Sequence, residues 1–446
     1  MNNIKTNGEV AATPSGGAAA KGVIMRGKGR QSTLATKMRS YGGVSFRKSG
    51  YNVWTESGKQ RASVKFTREL QQKKGKKKWQ ELRHVTELTI DDEDEVFTSM
   101  PAQLCELTEL KSLCFTLSGA TSLPVHFAQL RLRHLTLREN KFHNVDAIAK
   151  MTSLTTLDLS FNELRALPAQ IGALTKLTTL NVGKNKLESL PASIGDLREL
   201  RELSVNANKL AKLPQSIGSL RHLTSLDIGD NQLSSLPESI GKLEALTELR
   251  ASHNKLSKLP ASVEDMRALQ YLFIGRNEFT DVPPILEKVK SLRVVNMNQN
   301  RVVDMTCPLR SIHSLMLDGN QLDKFPAAIF ACDSLEILSM QRNRIRVIPD
   351  DIRRLRNLRT LLLEENELSE VPEAITHLTG LNHLALNSTN VQRLPKSFKS
   401  LNHLSMLTLN KAKLEKSLQE AYSANGLEGV MGYVGSDAAE SQSAKL

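Results

Sequence analysis

The residue types that usually carry chemistry are present in this 446-residue chain, but their spacing matches no catalytic motif. GxxxxGK[ST], GxSxG and HExxH do not occur, and Gly27 and Gly29 imitate a phosphate loop without the strand and helix that such a loop needs. The four cysteines lack CxxC spacing and have no histidine at zinc spacing. The ten histidines are scattered and are interpreted as variable surface positions. The sequence therefore predicts no enzyme, no cofactor and no metal site.

Residues suited to recognition are concentrated between positions 250 and 362. Apolar side chains recur there at intervals close to 23 residues, with arginines and two asparagines beside them. Apolar anchors rimmed by arginine have the composition of a protein-binding hot spot, although chance variation of surface residues is the alternative. The predicted partner-binding residues are Arg250, Tyr271, Phe273, Arg276, Val294, Asn296, Asn298, Arg301, Met316, Ile337, Arg342 and Leu362.

A repeat of the form LxxLxLxxN must position these side chains. Its asparagine recurs every 23 residues from Asn162 to Asn300 and again from Asn320 to Asn366. Degenerate units extend the phase in both directions, which makes about fifteen units. The LxLxxN half alternates with period two and predicts a short strand with leucines facing inward. The LPxxIGxL half predicts a short helical or 3₁₀ return, and stacking of the units buries a shared core.

The repeat array has one irregular unit and two predicted ends. The interval from Asn300 to Asn320 is 20 residues, because the LPxxI segment is missing, and a shortened return is expected near residues 302–311. Trp79, Leu82 and Val85 are expected to cap the first strand. Residues 414–434 are predicted to form a short helix, a glycine break and a second apolar helix over the last coil. A solenoid needs such caps because its end units expose the core.

The positive charge of the chain is concentrated before the repeats. Residues 1–80 hold 18 Lys and Arg against 3 Asp and Glu, whereas the remainder holds 42 against 44. A slightly acidic body without a basic stripe argues against nucleic acid as the main ligand. The predicted domains are a basic, largely disordered arm (1–78), the solenoid (79–413), the helical cap (414–434) and a disordered tail (435–446).

The repeats, such as LPASIGDLRELRELSVNANKL and LPESIGKLEALTELRASHNKL, closely resemble those of the Ras-group leucine-rich repeat proteins. That family includes the plant intracellular Ras-group-related proteins and an animal scaffold that joins a Ras-family GTPase to type-1 protein phosphatase. The resemblance covers roughly residues 82–434. It implies an α/β fold, a right-handed leucine-rich-repeat solenoid (horseshoe) of about fifteen repeats of mostly 23 residues, with a parallel sheet on the concave face.

Short segments outside the repeats suggest docking and targeting. In the animal scaffold a [V/I]-x-[F/W] segment that docks phosphatase precedes the repeats, and Val44-Ser45-Phe46 and Val64-Lys65-Phe66 are similar to it. The basic run from Lys73 to Lys78 is typical of a solvated linker, a nuclear import signal or an acidic-surface contact. The final Ala444-Lys445-Leu446 is similar to a peroxisomal address. No apolar run long enough to span a membrane occurs.

These features together favour a monomeric, cytoplasmic protein-binding adaptor or scaffold that uses the concave face. A small GTPase or a phosphatase is the expected class of partner on the family resemblance. The alternative is a structural or organelle-associated repeat protein that is tethered through its basic N-terminal arm. Peripheral membrane contact through that arm, and a location in the nucleus or a peroxisome-like organelle, are further possibilities that the sequence leaves open.

Overall fold

The computed structural model describes residues 61–65, 79, 80, 82–91, 99–434 and 436. Within these residues one parallel sheet has sixteen strands, each hydrogen-bonded to its neighbours in chain order. The strands are β1 (Arg61–Lys65), β2 (Glu87–Asp91), β3 (Ser112–Thr116), β4 (His134–Thr136), β5 (Thr156–Asp158), β6 (Thr179–Asn181), β7 (Glu202–Ser204), β8 (Ser225–Asp227), β9 (Glu248–Arg250), β10 (Tyr271–Phe273), β11 (Val294–Asn296), β12 (Ser314–Met316), β13 (Ile337–Ser339), β14 (Thr360–Leu362), β15 (His383–Ala385) and β16 (Met406–Thr408).

The apolar alternation of each repeat becomes a column of aligned side chains. Leu226, Leu249 and Leu272 are the middle residues of three successive strands and lie directly opposite one another. All three are buried, because strand side chains alternate between faces and these point to the core. The core is one continuous apolar cluster along the solenoid. The predicted right-handed leucine-rich-repeat solenoid is therefore confirmed.

The return segments are short 3₁₀ helices, as the LPxxIGxL half predicts. Pro191, Pro214 and Pro237 lie immediately before three of them with φ near −70° and an extended ψ, so the proline ends the extended segment and the turn begins after it. The 3₁₀ helices are Ala102–Glu106, Phe127–Gln129, Asp146–Lys150, Ile171–Ala173, Ala192–Asp196, Gln215–Ser219, Glu238–Lys242, Ala261–Asp265, Pro284–Lys288, Ala327–Ala331, Asp350–Arg354, Glu373–His377 and Lys396–Ser400.

The irregular unit differs as expected. Between β11 and β12 the described chain forms no 3₁₀ helix, and a single bridge joins Asp304 to Asp281 of the preceding unit. The missing LPxxI segment leaves too few residues for a helical turn on that side. The predicted shortened return is confirmed.

The repeated asparagine links two successive coils. Asn254 donates from Nδ2 to the carbonyl oxygens of Ile228 (3.0 Å) and Ala251 (3.2 Å), and its Oδ1 accepts the N–H of Leu233 (2.9 Å). The preceding residue, His253, has φ 58° and turns the chain so that the amide points inward. The same bonds recur along the array and satisfy backbone groups that the turn would otherwise leave buried without partners.

Both ends of the core are covered. Trp79 and Leu82 are buried against the first coils, and Val85 packs beside them, as predicted. Helix α1 (Lys416–Val434) covers the last coil and contains a break at Asn425 and Gly426, where φ reaches 56°. This matches the predicted helix, glycine break and second helix. Strand β1 lies upstream of the predicted boundary at residue 79 and pairs in parallel with β2.

Candidate binding surface on the sheet

The strand register brings the predicted apolar residues together on five adjacent strands, β10 to β14. Tyr271 lies opposite Val294, while Phe273 lies opposite Asn296. Asn296 in turn lies opposite Met316. The first and third residues of each strand point away from the core, so these side chains form two columns on the outer side of the sheet, here called the open face.

Neighbouring side chains cover part of this apolar surface. Tyr271, Val294 and Leu362 are partly exposed, whereas Phe273 and Ile337 retain 6% of their accessible surface. Met316 retains 7%. The guanidinium of Arg250 lies 5.0 Å from the centre of the Phe273 ring and shields it. The expectation of exposed anchors is therefore wrong for Phe273, Met316 and Ile337 in the unbound chain, because adjacent columns pack on one another.

The arginines beside the patch are mostly engaged within the chain. Arg250 contacts Glu248 at 2.5 Å. Arg342 contacts Glu365 at 3.1 Å, and Arg301 contacts Glu278 at 3.6 Å. Arg276 is exposed, and no ion pair to it is found among the described residues. The Arg342 and Arg301 pairs are exposed and contribute about 0–1 kcal/mol each, so a partner can rearrange them at little cost.

A row of mostly polar side chains, here called the polar ridge, lies beside the two columns. It consists of the residue two positions after the third residue of each strand, such as Asn298 after β11 and Asp318 after β12. Asp318 accepts hydrogen bonds from Asn298 Nδ2 (2.9 Å), Ser339 Oγ (2.5 Å) and the Gln341 N–H (2.9 Å). Burial raises the pKa of Asp318 above its ordinary value, and the hydrogen bonds from Ser339 and Gln341 oppose the rise. The predicted residue Asn298 thus lies beside a carboxylate that the sequence did not single out.

Asp227 belongs to the second column and has a raised pKa, caused mainly by burial. Asp227 therefore keeps its proton in the folded chain at pH values where it has lost the proton in the unfolded chain. The free energy of unfolding falls as pH rises from the pKa of the unfolded state through the higher pKa of the folded state. Asp227→Asn should therefore raise the thermal midpoint at pH 7, with a smaller gain at pH 4. Asparagine fits this position, because Asn181 accepts the Gly183 N–H (3.0 Å) as Asp227 accepts the Gly229 N–H (3.0 Å). Scanning calorimetry at both pH values tests this, and a lower midpoint at pH 7 would contradict it.

The cysteines in and just after the irregular unit have the properties of core residues. Cys307 and Cys332 are buried, and burial raises the pKa of each thiol to about 11, which keeps it protonated and weakly nucleophilic at neutral pH. Among the described residues no group of three or more His, Cys, Asp or Glu side chains is placed to hold a metal ion. In the same part of the chain no helix is long and apolar enough to cross a membrane.

The predicted docking and targeting segments fall mainly outside the described residues. Val44, Phe46 and Phe66 lie outside them, as do Lys73 to Lys78 and the C-terminal tripeptide. Val64 belongs to β1, where the backbone alone is described. These segments stay predictions.

Family profiles match the repeat array. The profile described as "Leucine-rich repeat region" matches residues 118–229 and 193–324, and "Leucine rich repeat" matches residues 310–368. The matches overlap and together run from residue 118 to residue 368, more than half of the 446-residue chain. The chain belongs to the leucine-rich repeat family, whose members generally act by binding proteins. A comparison with curated protein sequences gave no significant match.

Solved structures share the architecture. A leucine-rich repeat protein of Leptospira interrogans is 29% identical, with a TM-score of 0.71 over 78% of this chain and 89% of that one. The internalin InlF of Listeria monocytogenes is 22% identical, with a TM-score of 0.56 over 74% of this chain and 88% of that one. The plant peptide hormone receptor RGFR1, solved in complex with RGF2, is 23% identical, with a TM-score of 0.60 over 78% and 62%. The last two show the fold alone.

Proposed function

We propose that the chain is a non-enzymatic, cytoplasmic adaptor or scaffold that binds a folded protein on the open face of β9–β14. The observation that carries the proposal is the run of apolar side chains on five adjacent strands, β10 to β14. Sixteen strands at about 4.8 Å spacing offer a surface roughly 70 Å long, which accommodates the roughly 800 Å² per partner of a standard interface. The likeness of the repeats to the Ras-group proteins supports a small GTPase or a phosphatase as the partner.

Partial burial of the anchors is compatible with this role. The Arg250 side chain over Phe273 is held by a surface-type ion pair to Glu248, and both side chains keep about a quarter of their surface exposed (29% and 24%). A partner that displaces Arg250 would uncover the aromatic ring. Binding of this kind exchanges weak contacts within the chain for apolar burial across the interface.

Affinity capture with the full-length chain beside a Tyr271→Ala/Phe273→Ala variant tests the proposal, with bound proteins identified by mass spectrometry. Proteins lost from the variant alone would support binding at the open face and identify the candidate client. The control is Thr179→Ala/Asn181→Ala, which changes the corresponding positions of β6, four repeats away. Identical protein lists from all three chains would refute the proposal.

The tethering alternative is favoured by the concentration of Lys and Arg in residues 1–80. Deleting residues 1–59 leaves β1 and Trp79 in place and removes part of the basic arm. Changing Lys73, Lys74, Lys76, Lys77 and Lys78 to alanine removes the basic run itself. An adaptor keeps its client after these changes, whereas a tethered protein loses its cellular location.

A further inference from the structure

The open face from β10 to β16 carries apolar side chains, uncharged polar side chains and two carboxylates. On the two columns and the polar ridge of these strands, no lysine or arginine occurs among the described residues. The acidic side chains there are Asp318 and Glu364. This part of the face therefore carries uncompensated negative charge at Asp318 and Glu364.

Of the cations that flank this region, Arg293 and Arg342 are engaged elsewhere, whereas Arg276 has no ion pair among the described residues. Arg293 donates to the backbone carbonyl oxygens of Lys290 and Ser311. Arg342 pairs with Glu365 at 3.1 Å. Within the described part of the chain, neither Asp318 nor Glu364 forms an ion pair. A cation supplied from outside the chain would be the first to neutralise them.

Both carboxylates are held in place with acceptor capacity to spare. Oδ1 of Asp318 accepts from Ser339 and Gln341, and Oδ2 accepts one bond from Asn298. Oε1 of Glu364 accepts from the Asn387 amide. A carboxylate offers about four acceptor sites, so each group can accept a further donor without releasing its present partners. Acceptors already fixed in position lose little conformational freedom when a ligand binds.

Covering such a face with a neutral or acidic surface would bury the carboxylates without an opposite charge. Leaving a buried charge unpaired costs several kcal/mol, whereas a charge-assisted hydrogen bond from Lys or Arg restores what desolvation removes. Strands β12 and β14 are two strands apart, so the two groups project about 9.6 Å from each other along the face. Seven residues of a helix, or three of an extended chain, span about 10 Å.

We infer that the occupant of the open face is a cationic, apolar segment of another protein. It places two Lys or Arg side chains about 10 Å apart on Asp318 and Glu364, and apolar side chains on Tyr271, Val294 and Leu362. This inference rests on the proposed function, and it specifies the chemistry of the partner at the same surface.

Selection of a displayed library of random 16-residue peptides on the immobilised full-length chain tests it. The expected result is enrichment of peptides that combine Lys or Arg with apolar residues, and weaker binding as salt concentration rises. Glu364→Gln should lower the affinity of the selected peptides about tenfold, since glutamine still accepts the Asn387 hydrogen bond but loses the charge. The matched control is Glu365→Gln on the rim, which should change the affinity less than about threefold.

The outcomes separate this inference from the proposed function. Peptides that lose affinity on Tyr271→Ala/Phe273→Ala and also on Glu364→Gln support both. Peptides that respond to the aromatic pair but not to Glu364→Gln, or that lack cations, overturn the charge inference and leave the binding surface intact. Peptides that ignore both changes, or no enrichment at all, count against both. Asp318→Asn is a second charge variant, and circular dichroism confirms that each variant is folded.

Discussion

Replacing Asn254 with alanine should destabilise the solenoid by about 3–5 kcal/mol around β8–β10. The side chain bonds the carbonyl oxygens of Ile228 and Ala251 and the N–H of Leu233. Alanine leaves the Leu233 N–H without its partner, at about 1–3 kcal/mol, and removes two further hydrogen bonds of about 1 kcal/mol each. The carbonyl oxygens of Ile228 and Ala251 keep their bonds from Asn231 and Asn277. Because a solenoid is stabilised locally by contacts between adjacent units, hydrogen–deuterium exchange should accelerate first in these repeats.

Thr389 provides the matched control, since it occupies the position of the asparagine in a later repeat. Its Oγ1 donates one hydrogen bond, to the Leu386 carbonyl oxygen at 2.8 Å. Thr389→Ala should therefore cost about 1 kcal/mol. Equal losses at Asn254 and Thr389 would show that the asparagine hydrogen bonds do not hold the coils together.

The second large effect is expected at Gly218, in the 3₁₀ return between β7 and β8. An added Cβ would lie 2.3 Å from the Ser239 carbonyl oxygen and 2.8 Å from the Ser239 Cβ of the next repeat. Backbone cannot move aside without separating the two turns, so Gly218→Ala should cost about 3 kcal/mol. Chemical denaturation of the full chain measures the change.

Gly380 is the control for the glycine prediction. A Cβ there would find its nearest neighbour, the Leu358 carbonyl oxygen, at 3.9 Å, which is ordinary contact. Gly380→Ala should therefore change stability by less than about 1 kcal/mol, with a gain expected from the reduced freedom of the unfolded chain. A similar loss at both glycines would mean that close packing of the returns is not what requires Gly218.

The repeat pattern was sufficient to predict the fold. The period of the asparagines placed the strands, the LPxxIGxL half placed the 3₁₀ returns, and the 20-residue interval located the irregular unit. These features follow from local rules, because each unit repeats the same backbone and stacks on a copy of itself. Strand β1 was not anticipated, since RASVK lies in a basic segment without the leucines of a repeat.

The binding surface could be predicted only in part. The period placed Tyr271 and Val294 side by side, but it could not show that Arg250 lies over Phe273 or that Met316 is nearly buried. Such details depend on side-chain conformations across neighbouring strands, and those conformations are set by packing rather than by spacing. Asp318 was missed for the same reason, because its importance comes from the hydrogen bonds that it accepts from two side chains and one backbone N–H.

Binding of the captured client to the full-length chain, measured by calorimetry, tests the central claim most directly. Tyr271→Ala/Phe273→Ala should weaken the binding free energy by about 2–4 kcal/mol, while Thr179→Ala/Asn181→Ala should leave it within about 0.5 kcal/mol. That pattern would establish the open face of β9–β14 as the binding surface. Unchanged affinity in the aromatic variant, or equal losses in both variants, would contradict the account.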